Sequence, residues 1–247
     1  MLQSFRLAMK SLAGSKLRSF LTMLGIIIGV AAVIVLVSLM SGMANYITDS
    51  FSDLGTDQIS VSVTNTGTRS VTPDDMYEIL EDNSGLLLEL SPTVQTRGMV
   101  ERGADSLSTT SMTGVSEGYL DIGALELSTG RFLTYSDIVS EQKVCVIGSY
   151  VAQELFDGED PLGQTIKLNG QPYTVVGTLA EKADSEEGSS DDCIYLPYSS
   201  ATKLAMNSDI TSYTFIANSE QMDLAKSVLE SELYAVFLNE DLYTVTT

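Results

Sequence analysis

Few side chains in this sequence of 247 residues could carry out catalytic chemistry. The sequence contains no histidine, so the Ser-His-Asp and Cys-His arrangements and the HExxH metal motif are all excluded. A serine–lysine dyad or a pair of carboxylates remains possible without histidine. No GxxxxGK motif followed by Ser or Thr occurs, so the chain has no P-loop with which to hold ATP. We therefore expect a protein that is not itself an enzyme and that holds no cofactor.

Two acidic stretches contain the oxygen ligands that divalent cations prefer. The stretch Glu181–Asp192 carries six carboxylates, but it lacks the spacing and the closing glutamate of an EF-hand loop. We expect it to be a mobile, solvated loop. The run Asp157-Gly-Glu159-Asp160 is followed by Pro161 and Gly163, which are typical of a turn. The sequence therefore predicts no metal site.

Cys145 and Cys193 are the two cysteines of the chain, and both lie in apolar, strand-like surroundings. An oxidising compartment would allow a disulfide between them if their strands are neighbours. Two buried free thiols remain the alternative. Either way, the apolar surroundings argue against a reactive nucleophile, because reactive cysteines lie in electropositive, partly exposed sites.

Charge is distributed unevenly along the sequence. Before Asp49 there are four basic residues and no acidic residue, whereas from Asp49 onward there are nine basic and 33 acidic residues. The net charge of −24 on this second portion repels phosphate backbones. Nucleic-acid binding is therefore excluded as a function.

An uncharged stretch, residues 19–48, separates these two portions. Its apolar part, Phe20–Met43, would form a helix of about 36 Å, and the hydrocarbon core of a bilayer is roughly 30 Å thick. The run is longer than the apolar region of a cleaved signal peptide. We predict an uncleaved membrane helix with a cytoplasmic N-terminus, because positive charges remain inside. Residues 49–247 would then be extracytoplasmic.

Small residues recur at four-residue spacing in the predicted membrane helix. Gly25 and Gly29 form a GxxxG pair, and Ser38 and Gly42 repeat the spacing. Such pairs let helix backbones approach closely in lipid, so we expect this helix to pack against other helices. The preceding segment, residues 1–18, has apolar residues at helical spacing among basic ones. It predicts a cytoplasmic amphipathic helix on the inner leaflet.

The rest of the chain mixes strand and helix patterns. Gln58–Val63 alternates as a strand, and Thr72 followed by Pro73 predicts a helix start. Asn169-Gly170 predicts a hairpin turn, and Pro172 should place its strand at a sheet edge. Further strands and helices follow, up to a final amphipathic helix and a closing strand. The fold class is therefore α+β.

Several motifs, spread along the chain, resemble those of a known family. The run from Ser15 to Val30 is similar to the first membrane helix of MacB/LolE-type ABC permeases. Five further motifs occur in the order found in the periplasmic core domain of that family: Val146-Ile-Gly148, Glu154-Leu-Phe156, Asp160-Pro-Leu-Gly163, Val176-Gly177 and Ile194-Tyr-Leu-Pro197. The resemblance covers essentially the whole chain.

The resemblance implies a two-lobed extracytoplasmic domain. Residues 49–115 and 209–247 would form a porter-like α/β lobe, and residues 116–208 would form an inserted β-rich lobe. It also implies a non-catalytic permease subunit that couples ATP hydrolysis by a separate cytoplasmic ATPase subunit to movement of the outer domain. The implied partners are that ATPase, a second permease copy, membrane lipid and a membrane-fusion-type adaptor. The implied cargo is peptides, antibiotics or lipid-like substrates.

The segment after the membrane helix has an expected coupling role. We expect a stalk there to pass motion between membrane and outer domain, through the side chains of Asp49, Phe51, Asp53 and Leu54. Family members continue with three more FtsX-like membrane helices, whereas this sequence ends at Thr247. The alternative hypothesis is a single-span, membrane-anchored sensor or binding module without transport activity.

Overall fold

The computed structural model describes residues 20–21, 23–38, 57–206 and 209–247. The chain divides into two compact units, Met1–Asp53 and Leu54–Thr247, which we call the N-terminal and the C-terminal unit. Several predicted features lie outside the described residues, namely the amphipathic segment 1–18, Gly42, Asp49, Phe51, Asp53 and Leu54.

The N-terminal unit contains one described stretch of helix, between residues 20 and 38. All of its described side chains are exposed, including large apolar ones such as Phe20 and Ile28. Within the described ranges, no helix is both long enough and apolar enough to cross a membrane. The predicted membrane segment, residues 19–48, lies only partly within these ranges.

The C-terminal unit is built from twelve strands and six α-helices in its described part. The strands are β1 Gln58–Val63, β2 Leu87–Thr96, β3 Val100–Arg102, β4 Asp105–Leu107, β5 Ser111–Val115, β6 Leu127–Gly130, β7 Val144–Ile147, β8 Thr165–Leu168, β9 Gln171–Leu179, β10 Cys193–Pro197, β11 Ser212–Ala217 and β12 Tyr243–Thr246. The helices are α1 Pro73–Asp82, α2 Tyr119–Ile122, α3 Tyr135–Val139, α4 Ser149–Phe156, α5 Tyr198–Ala205 and α6 Met222–Phe237. This composition confirms the predicted mixture of helices and strands.

One end of the sheet has the strand order β12-β1-β11-β2, with every pair antiparallel. Along the chain these strands alternate with helices as β1-α1-β2 and β11-α6-β12, which is the split β-α-β arrangement repeated twice. In β1, Ile59, Val61 and Val63 are buried, as the predicted alternation requires. They pack with Met76 of α1 and Leu229 of α6. Both helices therefore cover the same face of this sheet.

The other end of the sheet continues in the order β5-β10-β7-β9-β8-β3-β4, and β6 pairs with β9. Strand β2 belongs to both ends, because Leu87–Thr93 pairs with β11 and Val94–Thr96 pairs with β5. The pairs β5–β10 and β7–β9 are parallel. Most of the chain between β2 and β11 thus lies in this second part. The lobe boundaries at residues 115/116 and 208/209 stay predictions.

Helix α1 begins as its sequence predicts. The Asp75 amide donates a hydrogen bond to Thr72 Oγ1 at 3.4 Å, and the Thr72 amide donates to Asp75 Oδ2 at 2.8 Å. This reciprocal pair is a capping box, which satisfies amides that the first turn leaves free. Pro73 occupies the first helical position, where the missing N–H costs nothing.

The predicted hairpin joins β8 and β9. Asn169 and Gly170 both have positive φ values, 51° and 77°, as a type I′ turn requires. The Asn169 side chain accepts from the Met99 amide at 2.9 Å, so the turn is tied to the start of β3. The edge prediction for Pro172 is wrong, because β9 lies between β7 and β8. Pro172 is tolerated there because pairing with β7 begins only at Thr174.

Candidate functional site

A cavity of about 260 Å³ lies beside the ends of β9 and β10. Residues from four segments line it: the start of α2, the turn between α2 and β6, the end of β9 with the loop that leads to β10, and β10 itself. Its lining includes the side chains of Tyr119, Leu125, Leu179, Asp191 and Tyr195. Aromatic, aliphatic and charged side chains therefore meet in one concave surface, as is usual for a small-molecule site.

The acidic stretch Glu181–Asp192 forms one wall of this cavity and is organised around Asp191. The Asp191 carboxylate accepts hydrogen bonds from the amides of Lys182, Ala183 and Ser185, at 2.9, 2.7 and 3.1 Å. Asp191 is 3% exposed. Most side chains of this stretch, among them Glu181, Asp184 and Glu186, are exposed, as a solvated loop requires. The loop backbone nevertheless wraps around one buried carboxylate, which the sequence did not single out. Charge-assisted bonds of this kind are the stronger hydrogen bonds in proteins.

Asp192 is also buried, at 1% exposure. Its Oδ2 atom accepts from the Gly188 amide at 2.9 Å and from Thr109 Oγ1 at 3.1 Å. These bonds connect the loop to the segment before β5. Among the described residues, no group of three or more His, Cys, Asp or Glu side chains could hold a metal ion. The carboxylates of Asp191 and Asp192 thus serve the structure of the loop.

The motif Val146-Ile-Gly148 ends in glycine because the backbone of another segment lies close to Gly148. A methyl group at this position would overlap the carbonyl oxygen of Asp191. In addition, the Gly148 amide donates to the carbonyl of Cys193 at 2.8 Å. The backbone at the start of α4 therefore packs directly against the loop beside the cavity, and any larger residue would push the two apart.

Two tyrosines form the aromatic wall of the cavity. The rings of Tyr119 and Tyr195 have centroids 5.3 Å apart and are tilted by 42°. Burial raises the pKa of both tyrosines above the usual value. Phe132 supports Tyr195 from behind, at a centroid distance of 6.2 Å. Both tyrosines therefore stay neutral at physiological pH.

The two cysteines are free thiols on opposite faces of the sheet. Cys145 belongs to the main hydrophobic core, whereas Cys193 belongs to a second, smaller core with Val115 and Phe132. A disulfide is thereby excluded, which settles the alternative that the sequence left open. Burial, and then the nearby Asp191, raise the pKa of Cys193 to about 12. Burial also raises the pKa of Cys145, so neither thiol is a nucleophile at neutral pH.

Two SxxK spacings that sequence reasoning missed also have structural roles. In Ser200-Ala-Thr-Lys203, the serine hydroxyl donates to the carbonyl of Gln142 at 2.9 Å and the lysine pairs with Glu141. In Ser140-Glu-Gln-Lys143, the lysine donates to Gln171 Oε1 at 3.1 Å. Neither lysine hydrogen-bonds to its serine, so neither spacing forms a nucleophile–base pair.

The predicted helix-packing residues lie in the N-terminal unit. Gly25, Gly29 and Ser38 belong to the described helix and are exposed. Apart from the flanking residues and the helix's own backbone, no atom of the described residues would lie within 4 Å of a methyl group at Gly25 or Gly29. The helix backbone is thus open at both glycines. Gly42 and the four stalk residues lie outside the described ranges.

Comparison with known proteins decides the family. The MacB-like periplasmic core domain matches residues 19–231 of this chain. The chain belongs to this family. The cavity and the acidic loop of this chain both lie within the matched residues.

Several relatives share sequence across most of the chain. The macrolide export ATP-binding/permease protein MacB of Campylobacter fetus is 33% identical over 218 residues, covering 85% of this chain and 33% of that protein. The MacB protein of Aggregatibacter actinomycetemcomitans is 26% identical over 254 residues, covering 100% of this chain and 39% of that protein. The uncharacterized ABC transporter permease YknZ of Bacillus subtilis is 31% identical over 188 residues, covering 72% and 47%. The chain spans less than half the length of these relatives.

Two solved structures share the fold. The periplasmic region of MacB from Actinobacillus actinomycetemcomitans has a TM-score of 0.63 and 19% identity, covering 79% of this chain and 91% of that one. The extracellular domain of the transporter YknZ has a TM-score of 0.64 and 18% identity, covering 77% of this chain and 100% of that one. The mixed α and β architecture is therefore that of MacB-like periplasmic domains.

Proposed function

We propose that this chain is part of a non-catalytic permease subunit of an ABC transporter. The observation that carries the proposal is the family match over residues 19–231, together with relatives named as ABC exporters and permeases. Both cysteines are buried, and Ser200, Lys143 and Lys203 make structural hydrogen bonds or an ion pair, which is consistent with a non-catalytic domain. No P-loop occurs among the 247 residues, and we propose a separate ABC ATPase subunit as the partner that would supply ATP hydrolysis.

The N-terminal unit is proposed as the membrane anchor, spanning residues 19–48. Support comes from the exposed apolar side chains of its described helix, since lipid tails would cover such side chains. Four basic residues and no acidic residue precede the helix, which favours a cytoplasmic N-terminus. Residues 49–247 would then be extracytoplasmic, and the anchor would lie in the cell membrane, which is the inner membrane where there are two.

Two sets of residues are proposed to connect anchor and outer domain. Gly25 and Gly29, with Ser38 and Gly42, would pack the membrane helix against other helices of the permease dimer. Residues 49–54 would act as the stalk through which the outer domain, with its porter-like lobe and inserted lobe, moves when the ATPase hydrolyses ATP. Small residues at four-residue spacing support the first part, because they allow close backbone approach.

The proposed cargo is peptides, antibiotics or lipid-like substrates, and antimicrobial-peptide export is the physiological role proposed for the transporter. A membrane-fusion-type adaptor and membrane lipid are the further proposed partners. Relatives named for macrolide export support the antibiotic part of this proposal, and the other parts rest on the family resemblance. The acidic C-terminal unit argues against nucleic acid as cargo.

The test uses the natural gene, tagged at its chromosomal locus so that the protein is studied as the cell makes it. We expect the tagged protein to purify from detergent-solubilised membranes with an ABC ATPase subunit, and the complex to show vanadate-sensitive ATP hydrolysis. Purification without any ATPase, and without ATP hydrolysis, would contradict the proposal and favour the single-span sensor or binding module.

A matched pair of variants tests the packing residues in the same assay. Gly29→Leu should lower recovery of partner subunits, because the added side chain keeps a neighbouring helix away. Ile27→Leu is the control, since Ile27 lies about 200° around the helix from Gly25. Equal recovery for Gly29→Leu, Ile27→Leu and the unmodified protein would show that the glycines do not pack against a partner.

A further inference from the structure

The cavity beside β9 and β10 has an aromatic wall and negatively charged lining residues, which together suit a particular class of ligand. Tyr119 and Tyr195 meet at a centroid distance of 5.3 Å with a tilt of 42°, so they form a corner of two ring surfaces instead of a flat stack. Both tyrosines line the cavity. Ring faces carry a partial negative charge, and a corner of two rings is a surface on which a cationic group can rest.

Three of the four charged residues that line the cavity are negative, as the ring faces are. Glu126, Glu181 and Asp191 line it, against the single cation Lys182. The carboxylate of Asp191 is already engaged by three amides, whereas Glu126 and Glu181 are exposed. A positively charged ligand is therefore favoured over a neutral or anionic one.

The remaining walls are apolar and fixed. Leu125, Leu179 and Ala180 line the cavity, and the Ala180 amide donates to the carbonyl of Glu126 at 2.8 Å. The loop opposite is held by the buried Asp191 carboxylate. A volume of about 260 Å³ is small for a ligand site, since such pockets usually measure roughly 300–1,000 Å³. It suits a compact group with methyl or ring substituents.

We propose that this cavity binds an organic ammonium group, in particular a tertiary or quaternary one whose methyl groups contact Tyr119, Tyr195 and Leu179. Glu126 and Glu181 supply the counter-charge at the rim. A bare metal ion does not fit this surface, because two aromatic rings and aliphatic side chains occupy the positions where oxygen ligands would be needed. This proposal does not depend on the proposed transport function, because it is argued only from the residues that line the cavity.

The decisive comparison is between choline and 3,3-dimethylbutan-1-ol, which has the same shape without the charge. The full chain is purified in dodecyl maltoside, a detergent without an ammonium group, and dissociation constants are measured by saturation-transfer NMR. We expect choline to bind at least about tenfold more tightly than the alcohol, because desolvated contacts between a cation and aromatic rings contribute on this scale. Equal affinities, or no detectable binding of choline, would overturn the proposal.

Charge variants at exposed positions test the site without disturbing the fold. Glu126→Gln and Glu181→Gln should each weaken choline binding, whereas Lys182→Gln should strengthen it by removing the competing cation. Glu186→Gln is the matched control, because Glu186 is an exposed carboxylate of the same loop that does not line the cavity. If Glu186→Gln weakens choline binding as much as Glu126→Gln and Glu181→Gln do, choline responds to the net charge of the chain and the proposed site is wrong.

Ammonium groups reach proteins both as free compounds and as lipid headgroups, and a third ligand distinguishes these sources. Dihexanoylphosphatidylcholine is a soluble lipid whose headgroup contains choline. Tighter binding of this lipid than of choline, with the same response to Glu181→Gln, identifies a lipid headgroup as the ligand. Tighter binding of choline identifies a free ammonium compound. Binding of the lipid that Glu181→Gln does not change would instead contradict the site.

Discussion

The Ser116 amide donates a hydrogen bond to Ser91 Oγ at 3.0 Å, and both residues are buried. The Ser116 hydroxyl in turn donates to the carbonyl of Leu90 at 3.0 Å. Ser91 lies in the portion of β2 that pairs with β11, and Ser116 follows β5 directly. These two bonds therefore hold the chain at the place where β2 changes its partner strand.

Loss of the Ser91 hydroxyl should destabilise the C-terminal unit. Ser91→Ala leaves the buried Ser116 amide without its acceptor, and an unsatisfied buried group costs about 1–3 kcal/mol. Urea unfolding followed by near-UV circular dichroism measures this loss. Ser60→Ala is the control, because Ser60 is an exposed serine on β1. If the two variants have the same free energy of unfolding, the Ser91–Ser116 bond makes no net contribution.

A second prediction concerns the buried carboxylate of Asp137. Arg131 contacts it through Nη1 at 2.6 Å and Nη2 at 3.2 Å, and Thr134 Oγ1 donates to it at 2.7 Å. Burial alone would raise the pKa of Asp137, but the bonds from Arg131 and Thr134 outweigh burial and lower the pKa. We expect Asp137→Asn to lower the free energy of unfolding by about 2 kcal/mol at pH 7, the scale of bonds to charged groups.

The pH dependence of this loss follows from the sign of the shift. A lowered pKa in the folded state means that the unfolded state binds the proton first, so stability is gained above the ordinary aspartate pKa of 3.8 and is lost as the pH falls through the lower folded value. The difference between Asp137→Asn and the unmodified chain should therefore shrink in acid. A difference that stays constant down to pH 2 would show that packing, and not charge, explains the effect.

Glu89 should have the opposite pH dependence. Burial, followed by the negative charges of Asp121 and Glu117, raises the pKa of Glu89 above 4.5, and its side chain lies against Gly118. The folded state binds the proton more tightly, so stability falls as the pH rises through the folded pKa. Glu89→Gln should thus be more stable than the unmodified chain at pH 8 and similar to it below the ordinary glutamate pKa.

The measurement is the free energy of unfolding from pH 3.5 to pH 8 for both proteins. Glu230→Gln is the control, because Glu230 is an acidic residue that is not among the neighbours whose charges raise the pKa of Glu89. A Glu89→Gln variant that is less stable than the unmodified chain at pH 8 would mean that the carboxylate of Glu89 is stabilised by its surroundings, contrary to the direction of its pKa shift.

Features with short-range signals could be predicted from the sequence. The capping box of Thr72 and Asp75 spans four residues, and the turn at Asn169-Gly170 needs two residues with positive φ. In such cases the responsible physics lies within one segment. Gly148 is a different case, because it leaves room for the backbone of Asp191, which lies 43 residues further along the chain.

Long-range features could not be predicted in this way. Strand β2 was missed because Glu89, Ser91 and Pro92 interrupt its apolar alternation, and its partner β11 lies more than 100 residues away. The cavity was missed because the sequence of the acidic loop does not distinguish the inward carboxylate of Asp191 from exposed ones. That distinction depends on which backbone amides the loop turns toward Asp191. The sequence alone therefore does not show which carboxylate of the loop is buried.

The buried thiols lead to a last prediction, on cysteine reactivity. Cys145 and Cys193 are buried and their pKa values are raised, so the thiolate, which is the reactive form, is scarce at neutral pH. A membrane-impermeant maleimide should therefore leave the unmodified chain unlabelled in intact cells. Met206→Cys should be labelled, because Met206 is 86% exposed and belongs to the unit proposed to lie outside the membrane.

A second cysteine variant turns this experiment into a test of orientation. Ser15→Cys, on the side of the anchor predicted to be cytoplasmic, should react only after the membrane is permeabilised. Labelling of Ser15→Cys but not of Met206→Cys in intact cells would reverse the proposed orientation, and equal labelling of both would show that the chain does not separate two compartments. Labelling of the unmodified chain without denaturant would mean that Cys145 or Cys193 becomes accessible, because the sheet that buries them opens on the timescale of the reaction.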